Sequence, residues 1–174
     1  TQGSHAVEKV IPLTAKYAAD EIIQYAAAVQ QYSEHHIAKG ILKTLKERNL
    51  ELWKSENFSY MAGIGVKAVV NGKEIVAAGP NYFKQNNLTE PETPKEVNQN
   101  IETVNYVFID NEVIGIITLA DSIREGSQEA INELTKMNIR SILLTGDNEK
   151  IAAALSKQLG MDGYIANVLP HEKQ

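Results

Sequence analysis

The spacing of apolar residues divides the chain into segments with a helical period and segments with a strand period. Apolar residues recur at helical spacing over residues 20–32, with Asp20 as the expected N-cap, and again over residues 36–48. In front of them, residues 5–13 alternate weakly and predict a strand. Only a short connection at residues 32–35 joins the two helical segments, so we expect a tight helical hairpin.

From residue 58 onward the period changes from helical to alternating, which is typical of β-strands. The predicted strands cover residues 58–61, 65–70, 74–78, 103–109 and 113–119. Asn71-Gly72 predicts a tight hairpin turn, because a type I′ turn needs positive φ at both central positions. A short helix beginning with proline is predicted at residues 80–86, and the polar residues 87–100 predict an exposed loop.

After residue 119 helices and strands alternate with short loops. Helices are predicted at residues 124–137 and 149–159, and strands at residues 140–144 and 164–166. This alternation favours a parallel, doubly wound sheet. We therefore predict an α/β protein with an α+β domain over residues 1–119, containing an antiparallel sheet and a helical hairpin, and a partial α/β domain over residues 120–174. About 55 residues bury little apolar surface, so we expect further strands of the second domain to lie outside this chain.

Composition narrows the classes of function. The chain has 174 residues, of which 43% are hydrophobic, and a net charge of −5, which argues against nucleic acid as the main partner. The absence of cysteine excludes disulfides and thiolate metal sites, and the four scattered histidines predict no structural metal. No stretch approaches the ~18 apolar residues of a membrane span, and no signal peptide is present, so we expect a soluble chain.

The turn between the two predicted helices carries the first candidate site. Ser33, Glu34 and His35 lie at the start of the second helix, where free N–H groups and the positive end of the helix dipole disfavour imidazolium. A neutral His35 ring can stack on adenine, while the Glu34 carboxylate can accept a hydrogen bond from the exocyclic amine. The alternative is an ordinary capped turn between helices, which the local sequence by itself favours.

Two further loops are candidates for binding a ligand. Gly63 and Gly65 lie between two predicted strands, where they either form a bulge or tight turn or let a ligand approach the backbone closely. Their spacing matches neither a dinucleotide fingerprint nor a Walker A loop. Thr145, Gly146 and Asp147 follow a buried strand and open a helix, where open α/β sheets bind anions. The alternative is that Asp147 or Asn148 only caps that helix.

In this order, the motifs resemble the cytoplasmic ATP-binding region of heavy-metal-transporting P-type ATPases, most closely the copper-transporting type. The matching segments are Thr1-Gln2-Gly3, Ser33-Glu34-His35, Gly63-x-Gly65, Asp121-x-x-Arg124, Leu144-Thr145-Gly146-Asp147-Asn148 and Leu169-Pro170-His171-Glu172-Lys173. The resemblance covers nearly the whole chain. It implies a nucleotide-binding domain followed by an incomplete Rossmann-like phosphorylation domain of the haloacid-dehalogenase type.

The resemblance also implies roles for individual residues. Glu34 and His35 would hold the adenine of ATP or ADP, and Gly63 and Gly65 would line the nucleotide cleft. Asn81 is the candidate for an asparagine that often joins this site in the family.

At the other end of the nucleotide, Thr145, Gly146, Asp147 and Lys173 would surround the phosphoryl group and its Mg²⁺. The aspartate that the family phosphorylates does not occur in this chain, so we expect the chain alone to be inactive. The implied partners are the remaining phosphorylation, actuator and transmembrane domains of the same parent protein. That parent would be an integral membrane pump that exports a transition metal, copper by resemblance, with this region in the cytoplasm.

One departure from the family pattern stands out, and two alternatives remain open. His36 replaces the family proline, which suits the first position of a helix, and we expect the change to be tolerated. The first alternative is a soluble phosphohydrolase of the haloacid-dehalogenase type with a cap domain. The second is an interaction module without nucleotide, in which Glu34 and His35 only cap a turn.

Overall fold

The computed structural model describes residues 5–98, 102–121, 126–145, 149–166 and 168. By its internal contacts the chain divides into two compact units, the first made of residues 1–97 and 102–122 and the second of residues 98–101 and 123–174.

A six-stranded antiparallel sheet forms the frame of the first unit. Its strands are β1 (His5–Pro12), β2 (Glu56–Met61), β3 (Gly65–Val70), β4 (Lys73–Ala78), β5 (Thr103–Ile109) and β6 (Glu112–Asp121). The strand order is β1-β6-β5-β4-β3-β2, so each of β2 to β6 pairs with its neighbour in sequence and β1 joins at the far edge beside β6. The predicted antiparallel sheet is confirmed, and β1 and β2 are its two edges.

Two tight turns set the register of this sheet. Asn71 and Gly72 both have positive φ, 51° and 75°, so the predicted turn between β3 and β4 is confirmed. Asp110 and Asn111, at 48° and 67°, make the corresponding turn between β5 and β6. Asp110 also accepts a hydrogen bond from the backbone N–H of Glu74 at 3.0 Å, which ties the two turns together at one end of the sheet.

Helices α1 (Ala19–Gln30) and α2 (His36–Glu47) form the predicted hairpin and pack on one face of the sheet. The largest buried side chains of the hairpin, Ile22, Ile23 and Ile41, are fully buried against the sheet. Burying such a side chain contributes about 1.5–3 kcal/mol, so this face supplies much of the unit's stability.

The start of α1 differs from the sequence prediction, because Asp20 is not the N-cap. Ala18 occupies that position, and its backbone N–H donates to the Glu21 carboxylate at 2.9 Å, which is half of a capping box. Asp20 lies in the first turn instead and pairs with Arg48 at 2.8 Å. This ion pair joins the start of α1 to the end of α2, so the Asp20 carboxylate links the two helices of the hairpin.

The opposite face of the sheet carries the short helix α3 (Asn81–Gln85) and a second core around Phe83, Tyr106 and Phe108. The prediction of an exposed loop at residues 87–100 is wrong in part. Val97 is buried in this second core, and the Tyr106 hydroxyl donates to the Glu90 carboxylate at 2.9 Å. Burial and this hydrogen bond raise the pKa of Tyr106 to about 12.

The second unit contains two helices and two short strands, in the predicted order. They are α4 (Ser127–Lys136), β7 (Ile142–Leu144), α5 (Glu149–Leu159) and β8 (Gly163–Ile165). Strands β7 and β8 are parallel, as the alternating pattern predicted. Gly160 has φ 68° directly after α5, the left-handed conformation that commonly follows the end of a helix. The two strands leave several apolar side chains exposed, among them Ile142 and Ile165.

Candidate functional site

A cavity of about 360 Å³ opens in the first unit, beside the turn that joins α1 and α2. Its lining comes from the end of α1, the start of α2, the turn between β2 and β3, and the nearby ends of β4 and β5. Most of the lining is apolar, including Ile64, Val66 and Val104. A volume of this order and an apolar wall with a few polar groups are typical of small-molecule sites.

His35 lies at the mouth of this cavity as the N-cap residue of α2, with φ −63° and ψ 144°. Its Nδ1 accepts a hydrogen bond from the backbone N–H of Ile37 at 3.4 Å, and its own backbone N–H donates to the Ser33 Oγ at 3.3 Å. Because Nδ1 accepts, the proton of a neutral ring lies on Nε2. The Nε2–H group is therefore the donor that His35 has available for a ligand.

His36, the first residue of α2, packs its ring against that of His35. The ring centroids are 3.9 Å apart and the planes are tilted by 37°. One face of the His35 ring is consequently covered by His36, which stands where the family pattern has proline. A base that stacks on His35 would therefore use the other face.

Glu34 is exposed and does not line the main cavity. Together with Tyr32 and Phe58 it borders a second, more open depression of about 340 Å³. The two cavities share Ser33, His35 and Tyr60, so they adjoin at the mouth. The structure therefore brings Glu34 beside His35 but outside the enclosed space.

The two predicted glycines line the cavity for different physical reasons. Gly63 has φ 71° and open space around it, so it supplies the left-handed turn between β2 and β3. Gly65 faces β4 so closely that a Cβ would overlap the Ala77 carbonyl oxygen and lie 2.8 Å from the Ala78 Cβ. The missing side chain at Gly65 therefore allows β3 and β4 to approach each other closely.

Asn81 is not brought together with these residues. It is exposed at the start of α3, and the cavity wall ends just before it, at Gly79 and Pro80. Its predicted role therefore stays a prediction.

Two polar residues of the cavity wall were not predicted as site residues. Gln30 ends α1 and Asn105 lies in the middle of β5, and they are only 3% and 5% exposed. The Gln30 Nε2 donates to the Asn105 Oδ1 at 3.4 Å. The signal for Asn105 was present in the sequence, because it is a polar residue inside the apolar strand TVNYVFI. Nothing in the helical pattern distinguishes Gln30.

The second candidate site belongs to the second unit and is only partly described. Thr145 follows β7; its N–H donates to the Ile165 carbonyl at 3.0 Å, and its carbonyl accepts from the Val168 N–H at 3.0 Å. Gly146, Asp147 and Lys173 lie outside the described residues. Within the described part of the chain, no three His, Cys, Asp or Glu side chains are grouped so that they could hold a metal ion.

None of the described helices has the length and apolar character that a membrane span requires.

A model of the haloacid dehalogenase-like hydrolase family matches residues 1–173. The chain therefore belongs to the haloacid dehalogenase-like hydrolase family. The relatives that it matches include copper-exporting P-type ATPases, so the predicted resemblance and fold class are confirmed. The chain is 36% identical over 173 residues to the copper-exporting P-type ATPase B of Archaeoglobus fulgidus. This alignment covers 99% of the chain and 25% of that protein.

Solved structures agree with this placement. A zinc-transporting PIB-type ATPase in the E2.Pi state matches 98% of this chain and 28% of that chain, with a TM-score of 0.80 and 28% identity. The catalytic domain of the CPx-ATPase CopB-B, studied for conformational changes upon nucleotide binding, matches 98% of this chain and 59% of that chain, with a TM-score of 0.64 and 25% identity. The chain spans about a quarter of the length of the curated relatives that it matches.

Proposed function

We propose that this chain is the ATP-binding region of a metal-exporting P-type ATPase and that the cavity beside His35 receives the adenine end of ATP or ADP. The observation that carries the proposal is the cavity itself: a mainly apolar space of about 360 Å³ with His35 at its mouth and Gly63 and Gly65 in its wall. The relatives named copper-exporting P-type ATPases support the same function.

In this proposal the residues of the cavity have separate tasks. The apolar wall excludes water from the faces of the base. His35 either donates a hydrogen bond to the base from its Nε2–H group or stacks on the base with its uncovered ring face. The backbone at Gly63 leaves room for the ribose or phosphates to pass. Glu34, at the rim, accepts from the exocyclic amine of adenine or from the ribose hydroxyls. Asn81, which lies outside the cavity wall, would contact only the outer part of the nucleotide.

The phosphoryl end is proposed from sequence alone. Thr145, Gly146, Asp147 and Lys173 would face the γ-phosphate and its Mg²⁺, and the phosphorylated aspartate would come from the parent protein outside this chain. Bound Mg²⁺ neutralises charge on the phosphate oxygens.

The activity of the parent protein is also proposed from sequence similarity. The parent would hydrolyse ATP to export a transition metal, copper by its relatives' names, and would place this region in the cytoplasm next to its remaining phosphorylation, actuator and transmembrane domains. The chain described here would bind nucleotide without completing turnover.

Calorimetric titration with ATP tests the adenine site directly. We expect the wild-type chain to bind ATP and the His35→Gln variant to bind it at least about fivefold more weakly, the equivalent of one neutral hydrogen bond. Lys46→Gln, on the exposed side of the same helix, is the matched control and should leave the affinity unchanged. Equal affinity in wild type and His35→Gln would remove the proposed role of His35, and phosphatase activity of the isolated chain would favour a soluble phosphohydrolase instead.

A further inference from the structure

The second depression, of about 340 Å³, has a lining of a different character from that of the cavity it adjoins. Three of its side chains are aromatic, Tyr32, Phe58 and Tyr60, and one is the carboxylate of Glu34. Tyr32 and Tyr60 are 59% and 64% exposed, which is high for large aromatic side chains. Exposed aromatic side chains gathered around one concave space are typical of a surface that binds a partner.

An irregularity in the edge strand β2 brings Phe58 to this depression. The register of β2 against β3 shifts between Glu56 and Ser59, and Asn57 has φ 55°, an uncommon conformation for a residue other than glycine. Directly after it, Phe58 lies edge-on to Tyr32, with ring centroids 5.7 Å apart. Bulges re-aim side chains and are frequent beside functional sites, so this one positions the Phe58 ring at the depression.

The Glu34 carboxylate gives the depression a negative charge. Among the residues that the structure describes, none forms an ion pair or a hydrogen bond with this carboxylate. None of the described lining residues is a lysine or an arginine. The N-terminus of α2 adds about half a positive charge beside this turn, which the full negative charge of Glu34 exceeds. The depression therefore combines aromatic rings with a carboxylate that has no partner.

Aromatic rings beside a carboxylate favour an organic cation as the ligand. A cation within about 6 Å of a ring centroid is attracted by the negative face of the ring, and arginine occurs there more often than lysine. The guanidinium group of arginine is planar and weakly hydrated, so it stacks on aromatic faces, and its N–H donors match a carboxylate in a bidentate pair. An ammonium group is more strongly hydrated and gains less from this lining.

We propose that the depression binds the arginine side chain of a protein segment that docks beside the α1–α2 turn and strand β2. Because β2 is an edge strand, one side of its backbone has no neighbour in the sheet and is open to such a segment. The inference goes beyond the proposed function and does not depend on it, since it concerns the chain without nucleotide. Glu34 is the residue that both proposals use.

Two peptides that differ only in charge test the proposal. One is a five-residue peptide of glycine and serine with a central arginine, and the other carries citrulline, the neutral isostere of arginine, in its place. Amide spectra of the full chain are recorded without nucleotide while each peptide is added. We expect saturable shifts at Tyr32, Phe58 and Tyr60 with the arginine peptide, and an affinity at least about tenfold lower for the citrulline peptide. Equal affinities, or no saturable shift with either peptide, would overturn the inference.

Two variants locate the bound arginine. Tyr32→Leu removes an exposed ring that lines the depression and not the cavity, and Glu34→Gln removes the charge. Each should weaken binding of the arginine peptide about fivefold, and Glu34→Gln should also narrow the difference between the two peptides. Tyr164→Leu, at an exposed position of β8, is the matched control and should bind as the wild type does. Unchanged binding in either Tyr32→Leu or Glu34→Gln would contradict the proposed site.

N-acetyl-arginine amide distinguishes a protein segment from a small guanidinium compound. We expect the arginine peptide to bind about threefold more tightly than this amide, because its backbone can also form hydrogen bonds with the open side of β2. Equal affinity would show that the depression selects the guanidinium group alone, which would overturn the docking of a protein segment.

Discussion

Single residues at the cavity carry two kinds of constraint, one from the fold and one from the proposed ligand. Gly65 shows the first kind, since its missing Cβ lets β3 lie against Ala77 and Ala78. His35 shows the second, since its ring is held by Ile37 and covered by His36 yet remains exposed at the cavity mouth. Substitutions at these positions should therefore separate stability from binding.

Gly65→Ala should destabilise the first unit. The added Cβ would overlap a backbone oxygen that cannot move without shifting β4, and overpacking of this kind costs about 1–3 kcal/mol. Urea unfolding measures the change in the free energy of unfolding. Gly79→Ala is the matched control, because its Cβ would have no neighbour closer than 4.0 Å, and it should change stability by less than about 1 kcal/mol. Equal losses in both variants would contradict this account of Gly65.

His36→Pro should be tolerated or slightly stabilising. Proline suits the first position of a helix, and His35 already has the extended backbone, φ −63° and ψ 144°, that a residue before proline prefers. We expect the free energy of unfolding to rise by about 0.4–1 kcal/mol, offset in part by the lost ring contact. A loss greater than about 1 kcal/mol in urea unfolding would show that the histidine pair contributes more than the helix start explains.

At the scale of elements, local patterns predicted most of the fold. The helices, the strands and the Asn71-Gly72 turn depend on residues close in sequence, so periodicity was sufficient to find them. The Gln30–Asn105 contact joins residues 75 positions apart, and no local pattern encodes it. The segment after α3 appeared exposed because its few apolar residues, Leu88 and Val97, are spaced too widely for a period to be recognised.

The hydrogen bond between Tyr106 and Glu90 of that segment leads to a prediction about alkaline pH. The folded state raises the pKa of Tyr106 to about 12, above the ordinary value of about 10, so folding favours the protonated hydroxyl. Its contribution to stability is complete below about pH 10 and is lost as the pH rises from about 10 to about 12. Urea unfolding across this range should show a smaller decline for Tyr106→Phe than for the wild type. An identical decline in both proteins would exclude Tyr106 as the cause.

At the scale of the whole molecule, the first unit holds every element of the proposed adenine site. All six strands of its sheet and both helices of its hairpin lie within residues 5–121, and so does the entire cavity wall. The residues proposed for the phosphoryl group fall in the second unit. Their role stays a prediction, as does the domain boundary after residue 119. We therefore expect the first unit to bind ATP without the second, and the affinity of a shortened chain measures this.

A chain shortened to residues 5–121 should fold and keep its affinity for ATP to within about twofold. The edge strands β1 and β2 need no residue of the second unit to pair, because every strand of their sheet lies within residues 5–121. Calorimetry on the shortened and full chains makes the comparison. A folded short chain that no longer binds ATP would mean that the second unit contributes to adenine binding.

Mapping the backbone amide resonances of the full chain during an ATP titration tests the central claim most directly. We predict that the largest shifts fall on the cavity wall, at His35, Gly63, Gly65 and Asn105. Amides on the opposite face of the sheet, such as that of Phe83, should change little. Shifts that are absent from the cavity wall, or confined to the opposite face, would contradict it.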